Sequence, residues 1–391
     1  MSRYFSYLNS AKEILSLYSG DEPFASFIKK YFAKYKKFGS KDRKQISHLC
    51  YCYFRLGTAL NNIPAEERIL IGLFLCSPQS NEVLKELRPE WNEKAQVSVE
   101  EKLSMFNVQR STLNLFPFQD ELTEGIDIGQ FILSHLEQPD LFLRLRPGKE
   151  LIVKQKLEKA GIGFSQLANA CIALPNSSGV DSVIELNMEA VVQDYSSQKT
   201  GELLANLKAQ TENHKLEVWD CCAASGGKSM MLYDLDPTIG LTVSDVREPI
   251  LTNLRKRFKE AGIKKYQSFV IDLTKPVNSL KLQTFNLIIC DAPCSGSGTW
   301  GRTPEQLVYF KKDKIDKYAL LQRQIISNTI SQLKPGGYFL YITCSVFKKE
   351  NEEIAESIRK GFNFHLIKME LLKGYDKKAD TMFAALLQKP L

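Results

Sequence analysis

No stretch of the 391 residues stays apolar over the ~18 consecutive positions that a membrane-spanning helix needs, so no membrane partner is expected. The opening segment, MSRYFSYLNSAKEIL, lacks the unbroken apolar core and small-residue cleavage site of an export leader. Histidine is scarce: His48, His135, His214 and His365 are scattered, and the nine cysteines form no CxxC pair, so no metal centre is expected. An odd cysteine count without an export signal argues for free thiols in a reducing cytoplasm. There is no internal repeat and no low-complexity tract. The length exceeds that of one compact domain and implies two or three.

The net charge of +7 is unevenly distributed. Residues 1–60 hold eleven Lys or Arg against four Asp or Glu, and the remaining 331 residues are neutral overall. A basic end beside a neutral body suggests an anionic partner met by that end. Aromatics run through the same stretch, FIKKYFAKYKKFGSKDRK, which favours nucleic acid over a merely solvated face.

In chain order, residues 1–122 read as helices. Tyr4–Tyr18 and Phe24–Tyr35 carry apolar residues at helical spacing, Ser40 is a plausible cap for the next helix, and ERILIGLFLC is dense enough to be buried. His48 and Cys52, on the apolar stripe of the third helix, read as packing residues. Residues 123–200 change to a small mixed α+β segment: strand DLFLRLRPGK, helix ELIVKQKLEKAG, then FSQLANACIALPNSSG as a strand and a turn-rich loop. From 201 to 391 strands and helices alternate at βα spacing. Strands are expected at Leu216–Asp220, Leu241–Val246, Gln267–Asp272, Phe285–Asp291 and Gly337–Thr343, with two more in FHLIKMELL and MFAALLQK. The fold class is α/β: a seven-stranded Rossmann-like sheet, its last strand antiparallel, with ligands at the strands' carboxyl ends.

The chain is organised around LEVWDCCAASGGKSMMLYDL, a short strand, a tight glycine loop and a helix start. A phosphate loop of the GxxxxGK[ST] type is excluded because Cys222 stands where the first glycine belongs. An adenosine cofactor site requires instead an acid at the end of the next strand, about 20 residues on, for the ribose hydroxyls. Asp245 lies 19 residues beyond Gly226. Asp272 and Asp291 end the third and fourth strands, and Cys344 ends the fifth. Cys294 and Cys344 can therefore bracket one flat ring. Addition of a thiolate to carbon 6 of a pyrimidine makes carbon 5 able to attack an activated methyl group. A second thiol or base then helps remove the carbon-5 proton, while Asp291 can hydrogen-bond the ring edge.

DCCAASGGK, DAPCSGSGTWGRTPE and YITCSVFKKENEE resemble the signatures of the Sun/Fmu-type RNA cytosine-5 methyltransferases, and VVQDYSSQ is similar to that family's lead-in. SKDRKQISHLCYCYFRLG is similar to the NusB-like helical domain of the RsmB-like branch. The resemblance covers nearly the whole chain and is densest over 190–391. It implies S-adenosyl-L-methionine as cofactor, with Cys222, Ala223, Ala224, Ser225, Gly226, Gly227 and Lys228 around its methionine part. It also implies Asp245 on the ribose, Asp272 by the adenine and Asp291 between cofactor and cytosine. Cys344 becomes the nucleophile, Cys294 the thiol assisting product release, and Arg302 a contact to the RNA backbone. The implied partner is small-subunit ribosomal RNA, met by a monomer. Transfer RNA is the alternative substrate, and a non-catalytic ribosome assembly factor the alternative role.

Two positions depart from the family pattern. Proline is usual where this chain has Ser225, which removes a preset φ from the loop. Two acids usually precede the asparagine after TCSV, whereas KKEN has only Glu350.

Overall fold

The computed structural model describes residues 2–106, 114–210, 215–277 and 284–391, without the side chains of 206–210. His214 lies outside the described residues. The chain divides into two compact units: Met1–Asp120 with Asp127–Gln138 and Trp300–Lys311, and Glu121–Ile126 with Pro139–Thr299 and Lys312–Leu391.

The first unit is helical. Its longer helices are α1 (Arg3–Leu17), α2 (Phe24–Lys34), α3 (Ser40–Arg55) and α4 (Ala65–Cys76). Helix α4 is buried on every side over residues 68–75, where every residue but Arg68 is apolar. The expected Ser40 cap is displaced by one residue: Gly39 is the N-cap, and Asp42 accepts from its amide at 2.9 Å. The aromatic stripe also reads differently in three dimensions. Phe24, Tyr31, Phe32 and Phe38 are core residues, while Lys29, Lys30, Lys36, Lys37 and Lys41 are exposed. The aromatic spacing therefore records helix packing, and the lysines supply the charge of the outward face. His48 is exposed on its outer side and meets the buried Cys52 thiol at 3.6 Å.

The second unit contains two sheets. The smaller has strand order β2 (Ser165–Ala168), β3 (Cys171–Leu174), β1 (Leu141–Leu145), β4 (Ala190–Val192), all antiparallel, with helix α9 (Glu150–Lys159) closing one face. FSQLANACIAL is thus a hairpin rather than the single strand expected, since the chain turns back at Asn169–Ala170. Arg144 and Arg146 on and after β1 both pair with Asp234, at 2.5 and 2.6 Å, and these three side chains are almost wholly buried.

The larger sheet has seven strands. In chain order they are β5 (Glu217–Asp220), β6 (Gly240–Asp245), β7 (Gln267–Val270), β8 (Phe285–Asp291), β9 (Leu333–Thr343), β10 (His365–Leu372) and β11 (Met382–Gln388). Their spatial order is β10-β11-β9-β8-β5-β6-β7. Strands β5 to β9 pair in parallel, and β11 is antiparallel to both neighbours. Successive residues alternate between two buried layers. Val218, Leu287, Ile289, Leu340 and Ile342 face α11 (Gly227–Leu235) and α12 (Glu248–Glu260). Trp219, Ile288, Cys290, Phe339 and Tyr341 face α14 (Asp313–Thr329) and α15 (Glu352–Gly361). A parallel sheet covered on both faces reads in sequence as continuous apolar runs, as LIIC and FLYI do here.

Candidate active site

The carboxyl ends of β5, β6, β8 and β9 open into one cavity of about 560 Å³. Its walls include Cys221, Cys222, Asp245, Asp272, Asp291, Cys294 and Cys344, so residues up to 123 positions apart in the chain meet there.

The β5–α11 loop forms one side. Ala224 and Gly226 take left-handed backbone angles, φ 46° and 80°. A Cβ at Gly226 would overlap Phe258 and press on Leu254 of α12, so only glycine lets the loop sit this close to that helix. A Cβ at Gly227 would meet nothing within 4 Å: the helix start faces open space. Asp245, only 6 % exposed, braces this loop from β6, where its Oδ2 accepts from the Ala224 amide at 3.1 Å. Its Oδ1 accepts from the Arg247 amide and Nε, both at 3.0 Å. Asp272 lies two residues beyond the end of β7 and is 37 % exposed. The Thr274 hydroxyl and amide hold its carboxylate below the ordinary value.

Lys228 connects the loop to β8, its Nζ 2.6 Å from Asp291 Oδ2. Burial opposes its charge, yet the Asp291 carboxylate keeps the ammonium above its ordinary pKa.

The two thiols face each other across the ends of β8 and β9, Cys294 Sγ 3.2 Å from Cys344 Sγ. Cys294 is pushed well above an ordinary thiol, first by its hydrogen bond to Cys344 and then by burial. Either thiol can donate to the other across this contact.

Behind the thiols lies a support that sequence reasoning missed. Glu350 is wholly buried. It accepts from the Ser295 amide at 2.8 Å, the Ser345 hydroxyl at 2.9 Å and Gln322 Nε2 at 3.2 Å. Ser295 follows Cys294 and Ser345 follows Cys344, so one carboxylate ties both thiol-bearing loops. Burial raises its pKa. Asn351, also wholly buried, accepts from the Thr343 hydroxyl at 2.5 Å and donates to the Ser345 carbonyl at 2.9 Å. The shorter acidic segment noted in the sequence thus still supplies the acid that touches both loops. Gly298 completes the support: its amide donates to the Cys344 carbonyl at 2.9 Å, and a Cβ there would overlap the Thr381 carbonyl.

Three further groups had gone unnoticed. Asp220, at the end of β5, is 1 % exposed and is pushed up to about 7 by burial, with Ser229 donating to its Oδ2 at 2.5 Å. Cys290 joins Cys221 and Cys222, and the three sulfurs lie within 4.8 Å of one another. Among the described residues this is the one group of three or more side chains with metal-ligating atoms. Hydrogen bonds from Cys221 and Cys222 lower the Cys290 pKa. Tyr318 of α14 lines the cavity beside Cys294. Arg302 is placed elsewhere, half-buried in the helical unit.

Residues 205–387 match the model of a family described as 16S rRNA methyltransferase RsmB/F. Among curated proteins, the ribosomal RNA small subunit methyltransferase B of Xanthomonas campestris is 33 % identical over 167 residues, 42 % of this chain and 37 % of its own length. The protein of the same name from Xylella fastidiosa is 30 % identical over 229 residues, 57 % of this chain and 53 % of its own. The chain thus spans about half or less of the length of these relatives. Among solved structures, the protein PH0851 superposes with a TM-score of 0.68 at 20 % identity, covering 99 % of this chain and 98 % of its own. NSun6 from Pyrococcus horikoshii, solved with the ligand SFG, superposes with a TM-score of 0.56 at 15 % identity, covering 68 % of this chain and 95 % of its own. These likenesses establish the fold.

Proposed function

We propose that the chain is a methyltransferase of the RsmB/F family, whose model matches residues 205–387, and that it makes 5-methylcytosine in RNA, with small-subunit ribosomal RNA as substrate. The observation that carries the reading is the pair of thiols 3.2 Å apart at neighbouring strand ends, beside an aspartate and an adenosine-type cavity.

The residues present fit S-adenosyl-L-methionine. Gly227 leaves open space at a helix start, where free amides receive a carboxylate, and the nearly buried Asp245 suits ribose hydroxyls. Cys222 to Lys228 would hold the methionine part, Asp245 the ribose and Asp272 the adenine side. When bound, the cofactor supplies an electrophilic methyl group.

Cys344 adds to carbon 6 of cytosine as the thiol's proton passes to ring nitrogen 3, and the enamine so formed makes carbon 5 nucleophilic. Asp291, held by Lys228, hydrogen-bonds the ring edge. Cys294, 3.2 Å from Cys344, is placed to act as the base: after passing its own proton to solvent in the cavity, its thiolate would take the proton on carbon 5. Loss of that proton expels Cys344 and restores the ring. The target base must be unpaired or flipped to reach the cavity. The exposed lysines of α2 and the α2–α3 connection would contact the backbone with an affinity that falls steeply with salt. The names of the curated relatives support small-subunit ribosomal RNA as the substrate. The protein would act in the cytoplasm as a monomer.

The test is transfer of labelled methyl to 16S ribosomal RNA, to small-subunit particles and to transfer RNA, followed by nucleoside mass spectrometry. The expected product is 5-methylcytidine in the ribosomal RNA. Label in transfer RNA alone would reassign the substrate, and no label in any of the three would favour a non-catalytic assembly role.

A further inference from the structure

The β5–α11 loop places two left-handed residues, Ala224 and Gly226, on either side of Ser225. Alanine resists that conformation, so something outside the loop must hold it. Asp245 restrains Ala224 from β6, and α12 restrains Ser225. Arg257 Nη1 donates to the Ser225 carbonyl and to the Ser225 hydroxyl, both at 2.7 Å. The other edge of the guanidinium is anchored in turn, with Nε donating to Asn187 Oδ1 at 3.0 Å. Asn187 is itself fixed: its Nδ2 donates to Glu260 at 2.8 Å, and its carbonyl accepts from Arg146 at 3.0 Å. A planar fork anchored at both edges holds a loop in one shape, which a flexible ammonium cannot do. Ser225 stands where the resembled family carries proline, and Arg257 supplies from outside the stiffness that a ring would supply from within. Arg257 does not line the cavity.

We propose that Arg257 is a positioning residue that sets cofactor affinity by fixing the loop through Ser225, and that it takes no part in the chemical step. The proposal rests on the reading of the cavity as the cofactor site.

The experiment compares wild type, Arg257→Met, Arg257→Lys, Ser225→Ala and Ser225→Ala/Arg257→Met in the full chain. S-adenosylhomocysteine binding is measured by calorimetry, methyl transfer by steady-state kinetics, and exchange of the loop amides by mass spectrometry. Arg257→Met should weaken S-adenosylhomocysteine binding and raise KM for the methyl donor five- to tenfold. KM for RNA and kcat at saturating donor should stay within twofold, and the amides of 223–229 should exchange faster. Arg257→Lys should fall between. Ser225→Ala should weaken binding on its own but add nothing to Arg257→Met, because the two act through one contact. Wild-type affinity in Arg257→Met, equal losses in kcat and in KM for RNA, or fully additive losses in the double variant would each overturn the proposal. No binding by the wild type would overturn the cofactor reading itself. The exchange arm would then still judge Arg257, and unchanged exchange in Arg257→Met would refute its positioning role.

Discussion

Glu350 offers the sharpest perturbation of the thiol pair that leaves both thiols in place. Its carboxylate is wholly buried and accepts from three donors: the Ser295 amide, the Ser345 hydroxyl and Gln322. Glu350→Ala leaves all three without their acceptor in a site too enclosed for solvent to reach freely. Each orphaned buried donor costs about 1–3 kcal/mol, and partial relaxation brings the sum to about 3–6 kcal/mol. Glu350→Gln keeps the shape. Its carbonyl can still accept from Ser295 and Gln322, and its NH₂ can donate to the Ser345 hydroxyl once that hydroxyl turns, so the expected cost is about 1 kcal/mol. The assay is urea unfolding followed by far-ultraviolet circular dichroism, paired with methyl transfer under conditions where each variant is folded. Glu350→Ala should lose methyl transfer by at least tenfold even when folded, because the carboxylate that bridges the residues after Cys294 and Cys344 is gone and the loops are left with contacts such as Gly298 to the Cys344 carbonyl. Glu350→Gln should retain most of it. Glu350→Ala unfolding within about 1 kcal/mol of wild type, with unimpaired transfer, would refute the claim that this carboxylate supports the thiols.

Two further outcomes follow from other buried contacts. Asp220 is raised from 3.8 to about 7, so between those values the folded chain holds a proton that the unfolded chain releases. Stability from this group is fully present below pH 3.8 and falls as pH rises toward 7, by up to about 1.4 kcal/mol per pH unit. Asp220→Asn should flatten that fall, seen as a smaller difference between urea midpoints at pH 5 and pH 8; an unchanged difference would contradict the assignment. Gly298→Ala should destabilise by about 1–3 kcal/mol, because the new methyl overlaps the Thr381 carbonyl. It should also slow methyl transfer in the folded fraction, since Gly298 donates to the Cys344 carbonyl. Unimpaired transfer and stability would show that the loop has room to yield.

The sequence made the strand ends legible because βα alternation fixes which end of each strand faces a ligand. Asp245, Asp291 and Cys344 could be placed together before any coordinates, each being the last residue of an apolar run or the one after it. Cys294 followed from its place three residues beyond Asp291. What stayed hidden depends on side chains meeting across the chain. Glu350 serves Ser295 from 55 residues away, and Arg257 reaches Ser225 from 32. No periodicity encodes either pairing. Cys290 was overlooked for the opposite reason: inside the run LIIC a thiol is indistinguishable from any other packing residue until Cys221 and Cys222 are seen beside it. The aromatic stripe of α2 shows how a surface reading can mislead, since the aromatics that favoured nucleic acid in the sequence lie at the spacing of a helix face turned inward.

The central claim, covalent attack by Cys344 with Cys294 needed for release, is tested most directly by expressing Cys294→Ala and running a denaturing gel. The predicted result is a slowly migrating protein–RNA adduct that disappears in Cys294→Ala/Cys344→Ala, with the attached RNA, once sequenced, identifying the substrate. No adduct in Cys294→Ala, together with full methyl transfer by Cys344→Ala, would contradict the account.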